Sequence, residues 1–356
     1  FTVKGVSSIF LQSVILEVTR SCNHACLHCY NFWSAPGYAG QAGLDAAAAG
    51  HCAPLEPLLE CLLAQVTCRS LVLTGGEPLL RPDLPQLVEF IARRGPKVNL
   101  ITNGHLLSEA LTARLIEAGV TMFELPLLSF RREVHDALSG ASGAFDAVLA
   151  ALAHIRKYRG EAVTVFVATK RNIADLGETL KLAYAFGARG VMFNRFNPGG
   201  RGLAHLEELL PTLGQVREAL GVAERAATAL GLPISCSIPL QPCLRDMSEY
   251  PHLRHGFCAA GSERAYYTIE PSGDVRPCNH TPTVLGNLWQ EPFAAIISPE
   301  RLFPFVSAVP AFCDGCQHRA TCQGGCKAAA QVCYGDLSAE EPFLRANLAS
   351  ARPARA

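Results

Sequence analysis

The distribution of cysteine is the strongest constraint on how this chain folds. The 356 residues include 15 cysteines, and ten of them fall into two patterns of close, regular spacing. In a reducing compartment, closely spaced cysteines of a long chain more often hold metal than form disulfides. The first residues show no basic segment followed by an apolar stretch and a cleavage site, so we expect no secretory signal, and no apolar run reaches the roughly 18 residues of a membrane span. We therefore expect a cytoplasmic protein whose cysteines bind metal.

The part of the chain before the second cysteine pattern alternates between two kinds of segment. From residue 13 to about residue 198, short β-branched runs alternate with longer Leu- and Ala-rich runs at helical spacing. Six strands separated by helices favour a parallel sheet with helices on its outer face, and right-handed crossovers curl such a sheet into a partial barrel. The predicted strands are 13–20, 70–74, 98–102, 122–128, 163–169 and 190–193. The predicted helices are 55–66, 84–94, 109–118, 145–158 and 176–186.

The composition changes near residue 233, which suggests a second domain. Pro, Cys and Gly become dense there, and long helical periods vanish, as expected of a small α+β domain stapled by metal. We expect four parts: a barrel over 1–200, a bridge over 201–235 with one helix at 213–230, a cysteine-rich domain over 236–337, and a tail over 338–356. Residues 31–53, rich in Ala and Gly, predict a loop or lid.

The first cysteine pattern directly follows the first predicted strand. Cys22, Cys26 and Cys29 lie within eight residues, so one loop can ligate three irons of a cluster and leave the fourth open. An open iron can bind a cofactor or substrate. The alternative is zinc, for which His24 or His28 would supply the fourth ligand.

The spacing Cys-x3-Cys-x2-Cys, with His28 before the last cysteine, resembles the radical S-adenosylmethionine (SAM) superfamily. The resemblance implies that the open iron of a [4Fe–4S] cluster chelates SAM. It also implies that an electron from the cluster cleaves SAM to methionine and a 5′-deoxyadenosyl radical, which removes a hydrogen atom from the substrate.

A second motif agrees with this resemblance. Gly75-Gly76-Glu77-Pro78, at the end of the second strand, is similar to the segment that receives the SAM amino group in that family. Glycines let the backbone approach a ligand closely, and a carboxylate suits an ammonium group. The chain departs from the family at strand 4, where many relatives have Ser-Leu-Asp and this chain has Pro-Leu-Leu. The residues expected to contact SAM are His28, Gly75, Gly76, Glu77, Pro78, Asn103, Ser129 and Asn172.

The second cysteine pattern resembles the seven-cysteine SPASM domain, which holds two auxiliary [4Fe–4S] clusters. Its order is Cys258, Gly273-x4-Cys278, Cys313-x2-Cys316-x5-Cys322-x3-Cys326, and Cys333. The resemblance implies that auxiliary cluster I takes Cys258, Cys278 and Cys326, and that auxiliary cluster II takes Cys313, Cys316, Cys322 and Cys333.

Three cysteines leave auxiliary cluster I one ligand short. Cys243 is the nearest spare thiol, and we expect it to be the fourth ligand; otherwise that site is open. The alternative for the tight group of four, Cys313, Cys316, Cys322 and Cys326, is a zinc ribbon. We interpret Cys52, Cys61, Cys68 and Cys236 as ordinary thiols.

These patterns together predict an α/β fold: a partial (β/α)6 TIM-like barrel followed by a small cysteine-rich α+β SPASM domain. The expected cofactors are SAM and three [4Fe–4S] clusters, whose low potentials suit electron relay. The resemblance favours a radical SAM oxidoreductase that forms a carbon–carbon or carbon–heteroatom cross-link in a ribosomal peptide. The alternatives are an enzyme that oxidises a small molecule or acts in cofactor biosynthesis, and a non-catalytic zinc-binding interaction protein.

The expected partners follow from that function. They are a precursor peptide and an electron donor such as flavodoxin or ferredoxin. Because 21 residues precede Cys22, a separate leader-binding protein or another binding mode would be needed. A formal net charge of zero argues against nucleic acid. His280 is a candidate proton acceptor, whereas Asn279, which replaces the Asp of sulfatase-maturing relatives, disfavours formylglycine formation.

Overall fold

The computed structural model of the protein describes residues 8–36 and 54–351. The predicted lid over 31–53 lies largely outside these residues, as does Cys52. The strands, numbered along the chain, are β1 (Ile9–Thr19), β2 (Val66–Gly75), β3 (Lys97–Ile101), β4 (Val120–Pro126), β5 (Ala162–Ala168), β6 (Val191–Arg195), β7 (Ile234–Cys236), β8 (Leu253–His255), β9 (Tyr267–Ile269), β10 (Asp274–Arg276) and β11 (Gly286–Asn287).

Helices connect the strands. They are α1 (Glu56–Leu63), α2 (Leu84–Ala92), α3 (Glu109–Ala118), α4 (Arg132–Ser139), α5 (Ala144–Lys157), α6 (Leu176–Ala185), α7 (Leu206–Leu209), α8 (Leu213–Leu230), α9 (Phe293–Ile296), α10 (Pro299–Ser307), α11 (Arg319–Cys322), α12 (Lys327–Tyr334) and α13 (Pro342–Arg345). Short 3-10 helices cover Phe32–Ser34, Pro78–Leu80, Ile173–Asp175, Gly200–His205, Met247–Glu249, Ala311–Cys313 and Leu348–Ser350.

One sheet carries both predicted domains. Its order is β11-β10-β9-β1-β2-β3-β4-β5-β6-β7-β8. Each strand from β1 to β7 pairs in parallel with the strand that follows it in the chain, so β8 is the last strand on this side. On the other side of β1, β9 is also parallel, whereas β10 and β11 continue as antiparallel strands. The predicted partial barrel with a C-terminal domain is confirmed, and β7 and β8 extend the barrel sheet beyond the six predicted strands.

The strands have two buried faces, as expected of a parallel sheet covered by helices. On β5, Thr164, Phe166 and Ala168 are almost fully buried, whereas Val165 and Val167 are half-buried and face the interior cavity. This alternation places one side of each strand against the helices and the other inside the barrel.

Local signals fix several helix ends. The Ser108 side chain accepts a hydrogen bond from the Leu111 amide (3.3 Å) at the start of α3, and Gly119, with a φ of 118°, ends that helix. Thr212 and Gln215 form a reciprocal capping box at the start of α8. Accordingly, the predicted boundaries of these two helices, 109–118 and 213–230, match the structure.

A buried charge network joins the barrel to the C-terminal domain where β1 meets β9. Arg276 is fully buried, and its guanidinium contacts Glu17 of β1 (2.5 Å) and Glu270 (2.9 Å). The same group donates to the carbonyl of Thr281 (2.8 Å). A buried charge is tolerated only when it is paired and hydrogen-bonded, so this arginine fixes the position of the second domain.

The segment predicted as a tail is packed into the protein. Phe343 and Leu344 of α13 are fully buried, and Glu341 is 1% exposed. Glu341 pairs with Arg195 at the end of β6 (2.8 Å) and accepts a hydrogen bond from Gln241 (2.6 Å). Part of the predicted tail is thus anchored to the end of β6 and to Gln241.

No single helix in the part of the chain that the structure describes is long and apolar enough to cross a membrane. Arg132–Ser139 and Ala144–Lys157, bent by 100° relative to each other, satisfy the length and composition criteria only as a pair.

Candidate functional site

The loop that carries Cys22, Cys26 and Cys29 leaves the C-terminal end of β1. Backbone hydrogen bonds hold it from two sides: the Leu27 amide donates to the carbonyl of Leu138 (2.9 Å), and the Gly202 amide donates to that of Cys29 (3.0 Å). The loop is therefore placed by α4 and by the segment after β6.

Glycines make this close packing possible. A Cβ on Gly75 would lie 2.2 Å from the carbonyl oxygen of Thr19, and one on Gly76 would lie 2.0 Å from that of Ser21. The same holds for Gly140 against Ala25 (2.4 Å) and Gly199 against Tyr30 (2.4 Å). The two glycines expected to approach SAM thus also bring the end of β2 against the cysteine loop.

Glu77 is fully buried and forms hydrogen bonds with the residues that follow β3. Its carboxylate accepts hydrogen bonds from the Thr102 hydroxyl (2.6 Å), the Asn103 amide (2.8 Å) and the Leu79 amide (3.0 Å). Burial raises the pKa of Glu77 to about 7, although these three donors oppose the shift. Its carboxylate holds β2 and β3 together at the rim of the cavity.

A cavity of about 800 Å³ occupies the barrel mouth and continues under the C-terminal domain. Three loop thiols, Cys22, Cys26 and Cys29, form one part of its wall. A different part is formed by thiols of the second domain: Cys258, Cys278 and Cys326. The structure thus brings six of the predicted ligands, from two distant parts of the chain, to one cavity.

The predicted SAM contacts divide into two groups. His28, Gly75, Gly76 and Asn103 line the cavity, whereas Glu77 and Pro78 lie behind its wall. Ser129 and Asn172 are fully buried, and neither lines the cavity.

Internal hydrogen bonds explain where Ser129 and Asn172 lie. The Ser129 hydroxyl donates to Asp175 (2.7 Å). The Asn172 side chain donates to the carbonyls of Leu128 (2.6 Å) and Val167 (2.9 Å). Their polar atoms bind the ends of β4 and β5 to each other, so the structure does not bring these two residues to the expected SAM site.

Polar side chains connect the two sets of cysteines. Tyr30, next to Cys29, accepts a hydrogen bond from the Asn279 side chain (2.9 Å), and Asn279 accepts one from Tyr266 (3.1 Å). The Tyr266 hydroxyl also lies 3.5 Å from the Cys278 sulfur. This chain of contacts spans the cavity wall from the first domain to the second.

His280, the predicted proton acceptor, belongs to the same wall. Its ring lies 4.1 Å from that of Tyr30, and its Nδ1 is 3.1 Å from the Asn197 amide nitrogen. Asn197 also donates to the Cys326 sulfur (3.4 Å). Burial lowers the pKa of His280 to about 4, so the ring is neutral near pH 7.

Cys243 lies away from this cavity. It lines a separate small pocket together with Cys313, Cys316 and Cys322. Burial raises the pKa of the Cys243 thiol to about 11, and negative charge on Cys313 and Cys316 raises it further. The structure therefore places Cys243 with the cysteines expected for auxiliary cluster II, whereas its predicted place was with auxiliary cluster I.

Cys333 lies apart from that group. It is half-buried near the end of α12, and it lines neither of the two cavities. Burial raises the pKa of its thiol to about 12, and the Glu341 carboxylate adds to the shift. Cys333 is thus not among the residues that line the small pocket with Cys313, Cys316 and Cys322.

Glu124 is a functional candidate that the sequence patterns did not reveal. It lies on β4 opposite Ile101 and lines the cavity among the apolar residues Ile101, Val165 and Met192. Burial raises the pKa of Glu124 to about 7. An acidic residue in the middle of a strand whose neighbours are apolar is the one signal that could have pointed to it.

The donor set fits iron–sulfur clusters. Thiolates are the ligands of such clusters, and every predicted cysteine ligand except Cys333 lines a cavity wall. Within residues 8–36 and 54–351, no group of three or more His, Cys, Asp or Glu side chains converges on one position for a single metal ion. Burial raises the pKa of Cys22 to about 11, so a thiolate there needs the compensating positive charge that iron supplies.

Comparison with protein families identifies the two regions. Residues 16–183 match the radical SAM superfamily, and residues 258–323 match SPASM, an iron–sulfur cluster-binding domain. The chain therefore contains a radical SAM domain and a SPASM domain. It is an enzyme, and its cofactors are SAM and [4Fe–4S] clusters. The interpretation as a non-catalytic zinc-binding protein is therefore wrong.

Relatives extend over nearly the whole chain. The AdoMet-dependent haem synthase of Methanosarcina barkeri is 27% identical over 343 residues, which cover 92% of this chain and 94% of that protein. The PqqA peptide cyclase of Granulibacter bethesdensis is 27% identical over 346 residues, with 93% and 86% covered. Streptococcus suis SuiB, solved with the precursor peptide SuiA, superimposes with a TM-score of 0.69 at 14% identity, over 93% of this chain and 75% of SuiB.

Proposed function

We propose that this radical SAM SPASM enzyme removes a hydrogen atom from a ribosomal peptide and forms an oxidative carbon–carbon or carbon–heteroatom cross-link. The observation that carries the proposal is the cavity shared by Cys22, Cys26 and Cys29 with the thiols of the second domain. A reaction that removes a hydrogen atom and then an electron from one substrate needs both centres near that substrate.

The ligand assignments are part of this proposal. Cys22, Cys26 and Cys29 hold the SAM cluster, which with SAM supplies the 5′-deoxyadenosyl radical. Cys258, Cys278 and Cys326 hold auxiliary cluster I. Cys22, Cys26 and Cys29 can hold a cluster because the close packing of Gly75 and Gly76 against the backbone fixes their loop.

The residues around the cavity have distinct proposed roles. Asn103, whose side chain donates to Asn23 (2.7 Å), and Arg201, which lies near the Cys26 carbonyl (3.5 Å), flank the cysteine loop and orient SAM. Tyr30 and His280 close the wall and exclude water. Glu124, whose pKa of about 7 suits proton transfer near neutral pH, holds or accepts a proton at its carboxylate.

Two relatives support a peptide substrate. PqqA peptide cyclase acts on a peptide by its name, and SuiB was solved with its precursor peptide. The cavity of about 800 Å³ is within the range of sites that enclose a small ligand, so it would take one or two side chains of an extended peptide.

A small-molecule substrate is the second candidate. The haem synthase relative favours it, because its identity to this chain equals that of the peptide cyclase and its coverage is as complete. A haem precursor would then lie where we place a peptide side chain.

One experiment separates these candidates. The anaerobically reconstituted enzyme, with SAM and a low-potential reductant, is incubated with each candidate: short peptides encoded beside its gene, or a porphyrin haem precursor. The proposal expects 5′-deoxyadenosine formation coupled to a peptide that has lost two hydrogen atoms. Coupled conversion of the haem precursor, with the peptides unchanged, would favour the second candidate.

The proposed partners are a precursor peptide, an electron donor such as flavodoxin or ferredoxin, and a separate leader-binding protein. The proposed location is the cytoplasm, where thiols stay reduced.

A further inference from the structure

The small pocket of the C-terminal domain joins a cysteine from outside the seven-cysteine pattern to three inside it. Cys313, Cys316 and Cys322 supply three thiols to its wall, and Cys243 supplies the fourth. Cys313 and Cys322 are buried, whereas Cys243 and Cys316 are half-buried. Four thiols around one space are the donor set that closes a [4Fe–4S] cluster.

Specific contacts fix the loop that carries Cys243. The Leu244 amide donates to the carbonyl of Gln241 (2.9 Å), which closes a turn around Cys243. Arg217 of α8 donates to the carbonyl of Leu244 (3.0 Å) from the other side. The thiol is therefore held in place by the barrel side of the molecule.

Gln241 attaches this turn to the cysteine-rich segment. It is 1% exposed, and its side-chain amide donates to Glu341 (2.6 Å) and lies 3.4 Å from the carbonyl oxygen of Gly324. A Cβ on Gly325 would fall 2.1 Å from the same amide nitrogen. Because Gly324 and Gly325 lie between Cys322 and Cys326, this contact sets Cys243 beside Cys322.

Cys333, the last cysteine of the pattern, lies on α12, and this helix determines its position relative to Cys326. Cys326 is the N-cap of α12, and Cys333 comes seven residues later in that helix. Seven residues of α-helix rise about 10 Å, so Cys333 lies about two turns further along. Cys326 lines the large cavity, whereas Cys333 is not among the residues that line the small pocket.

We propose that Cys243, and not Cys333, is the fourth thiolate ligand of the auxiliary cluster held by Cys313, Cys316 and Cys322. The proposal rests on the iron–sulfur character of the domain and is independent of the substrate. It removes Cys243 from auxiliary cluster I, which keeps Cys258, Cys278 and Cys326 on the wall of the substrate cavity.

The test compares two matched substitutions, Cys243→Ala and Cys333→Ala, since both residues are half-buried cysteines. Iron and sulfide are counted per chain after anaerobic reconstitution of the full-length protein. We expect about twelve irons in the wild type, about twelve in Cys333→Ala and about eight in Cys243→Ala. The reverse pattern, or full iron in both variants, would overturn the proposal, as would zinc in place of iron at this site.

Serine variants decide the case in which both alanine variants lose iron through misfolding. Serine has nearly the size of cysteine and can replace a thiolate as an oxygen ligand. Cys243→Ser should change the Mössbauer and electron paramagnetic resonance (EPR) spectra of one auxiliary cluster, whereas Cys333→Ser should leave both spectra as in the wild type. Wild-type spectra for Cys243→Ser would contradict the proposal. These measurements need no substrate, so they stay decisive if the peptide proposal fails.

Discussion

The two cysteine sites of the C-terminal domain face different surroundings. Cys258, Cys278 and Cys326 lie on the wall of the cavity that also contains the N-terminal cysteine loop. Cys313, Cys316 and Cys322 surround a small pocket walled by Phe312 and Leu344, with no share in that cavity. One domain thus presents one set of thiols to the substrate space and keeps the other apart. We expect the first site to respond to substrate and the second to pass electrons only.

The largest expected effect concerns the loop that shares the cavity with the first site. Substitution of Cys22, Cys26 and Cys29 by alanine removes every protein ligand of the SAM cluster. We expect the iron content to fall from about twelve to about eight per chain and 5′-deoxyadenosine formation to stop. Anaerobic iron analysis and liquid chromatography check both. If this variant still cleaved SAM in the absence of substrate, the loop would not be the site of SAM cleavage.

Glu341 lies between the two sites, because it contacts Arg195 on the large cavity and Gln241 on the small pocket. Glu341→Ala leaves the Arg195 guanidinium buried and without its carboxylate, which should cost about 3–5 kcal/mol. The measurement is the melting temperature of the anaerobic holoenzyme. The matched control is Glu161→Ala, whose exposed pair with Arg189 should contribute less than about 1 kcal/mol. Equal losses in the two variants would show that the buried pair does not join the sites.

Glu124 tests how well the cavity wall excludes water. Its folded-state pKa of about 7 lies above the ordinary value, so the fold favours the protonated carboxyl. That stabilisation is complete below the ordinary pKa and is lost as the pH rises through about 7. Glutamine cannot ionise, so Glu124→Gln removes the free-energy cost of ionising a buried carboxyl group. We therefore expect the variant to gain stability relative to wild type between pH 5 and pH 8, by about 1–3 kcal/mol. A difference in melting temperature that stays constant over this range would mean that the carboxylate is well solvated.

The smallest expected effect distinguishes the two auxiliary sites electronically. Tyr266 and Asn197 lie within hydrogen-bonding distance of the Cys278 and Cys326 sulfurs. Removal of a donor to a ligating sulfur makes the cluster harder to reduce, so Tyr266→Phe and Asn197→Ala should lower one auxiliary potential by tens of mV. Redox titration followed by EPR measures this. The other auxiliary potential should not move, and a shift in both would contradict the separation of the sites.

Much of the fold could be predicted because its signals are local. Strand and helix periods predicted the parallel barrel, and caps such as Ser108 and Thr212 set helix ends within the residues around them. The extension of the sheet by β9 could not be predicted, because β9 is three residues long and pairs with a strand some 250 positions earlier. So short a strand has no recognisable period.

In the candidate site, too, local sequence signals predicted some placements and missed others. The spacings of Cys22, Cys26 and Cys29 predicted a cluster loop, and the structure places all three on one cavity. Ser129 and Asn172 come after strands, as SAM contacts would, yet both side chains turn inward and bind neighbouring strand ends. Position along a strand predicts which edge of the sheet a residue reaches, but the hydrogen bonds available there decide where its side chain points.

The sequence by itself determined the two domain types, the cofactors and the order of the two domains, because each follows from residues that are close together along the chain. Only the tertiary structure decided that Cys243 lies beside Cys313, Cys316 and Cys322, and that Glu341 pairs with Arg195. Those contacts join positions from 70 to 146 residues apart. These contacts arise from the packing of distant segments around Gln241 and its neighbours. The spacing of residues along the chain cannot predict such packing.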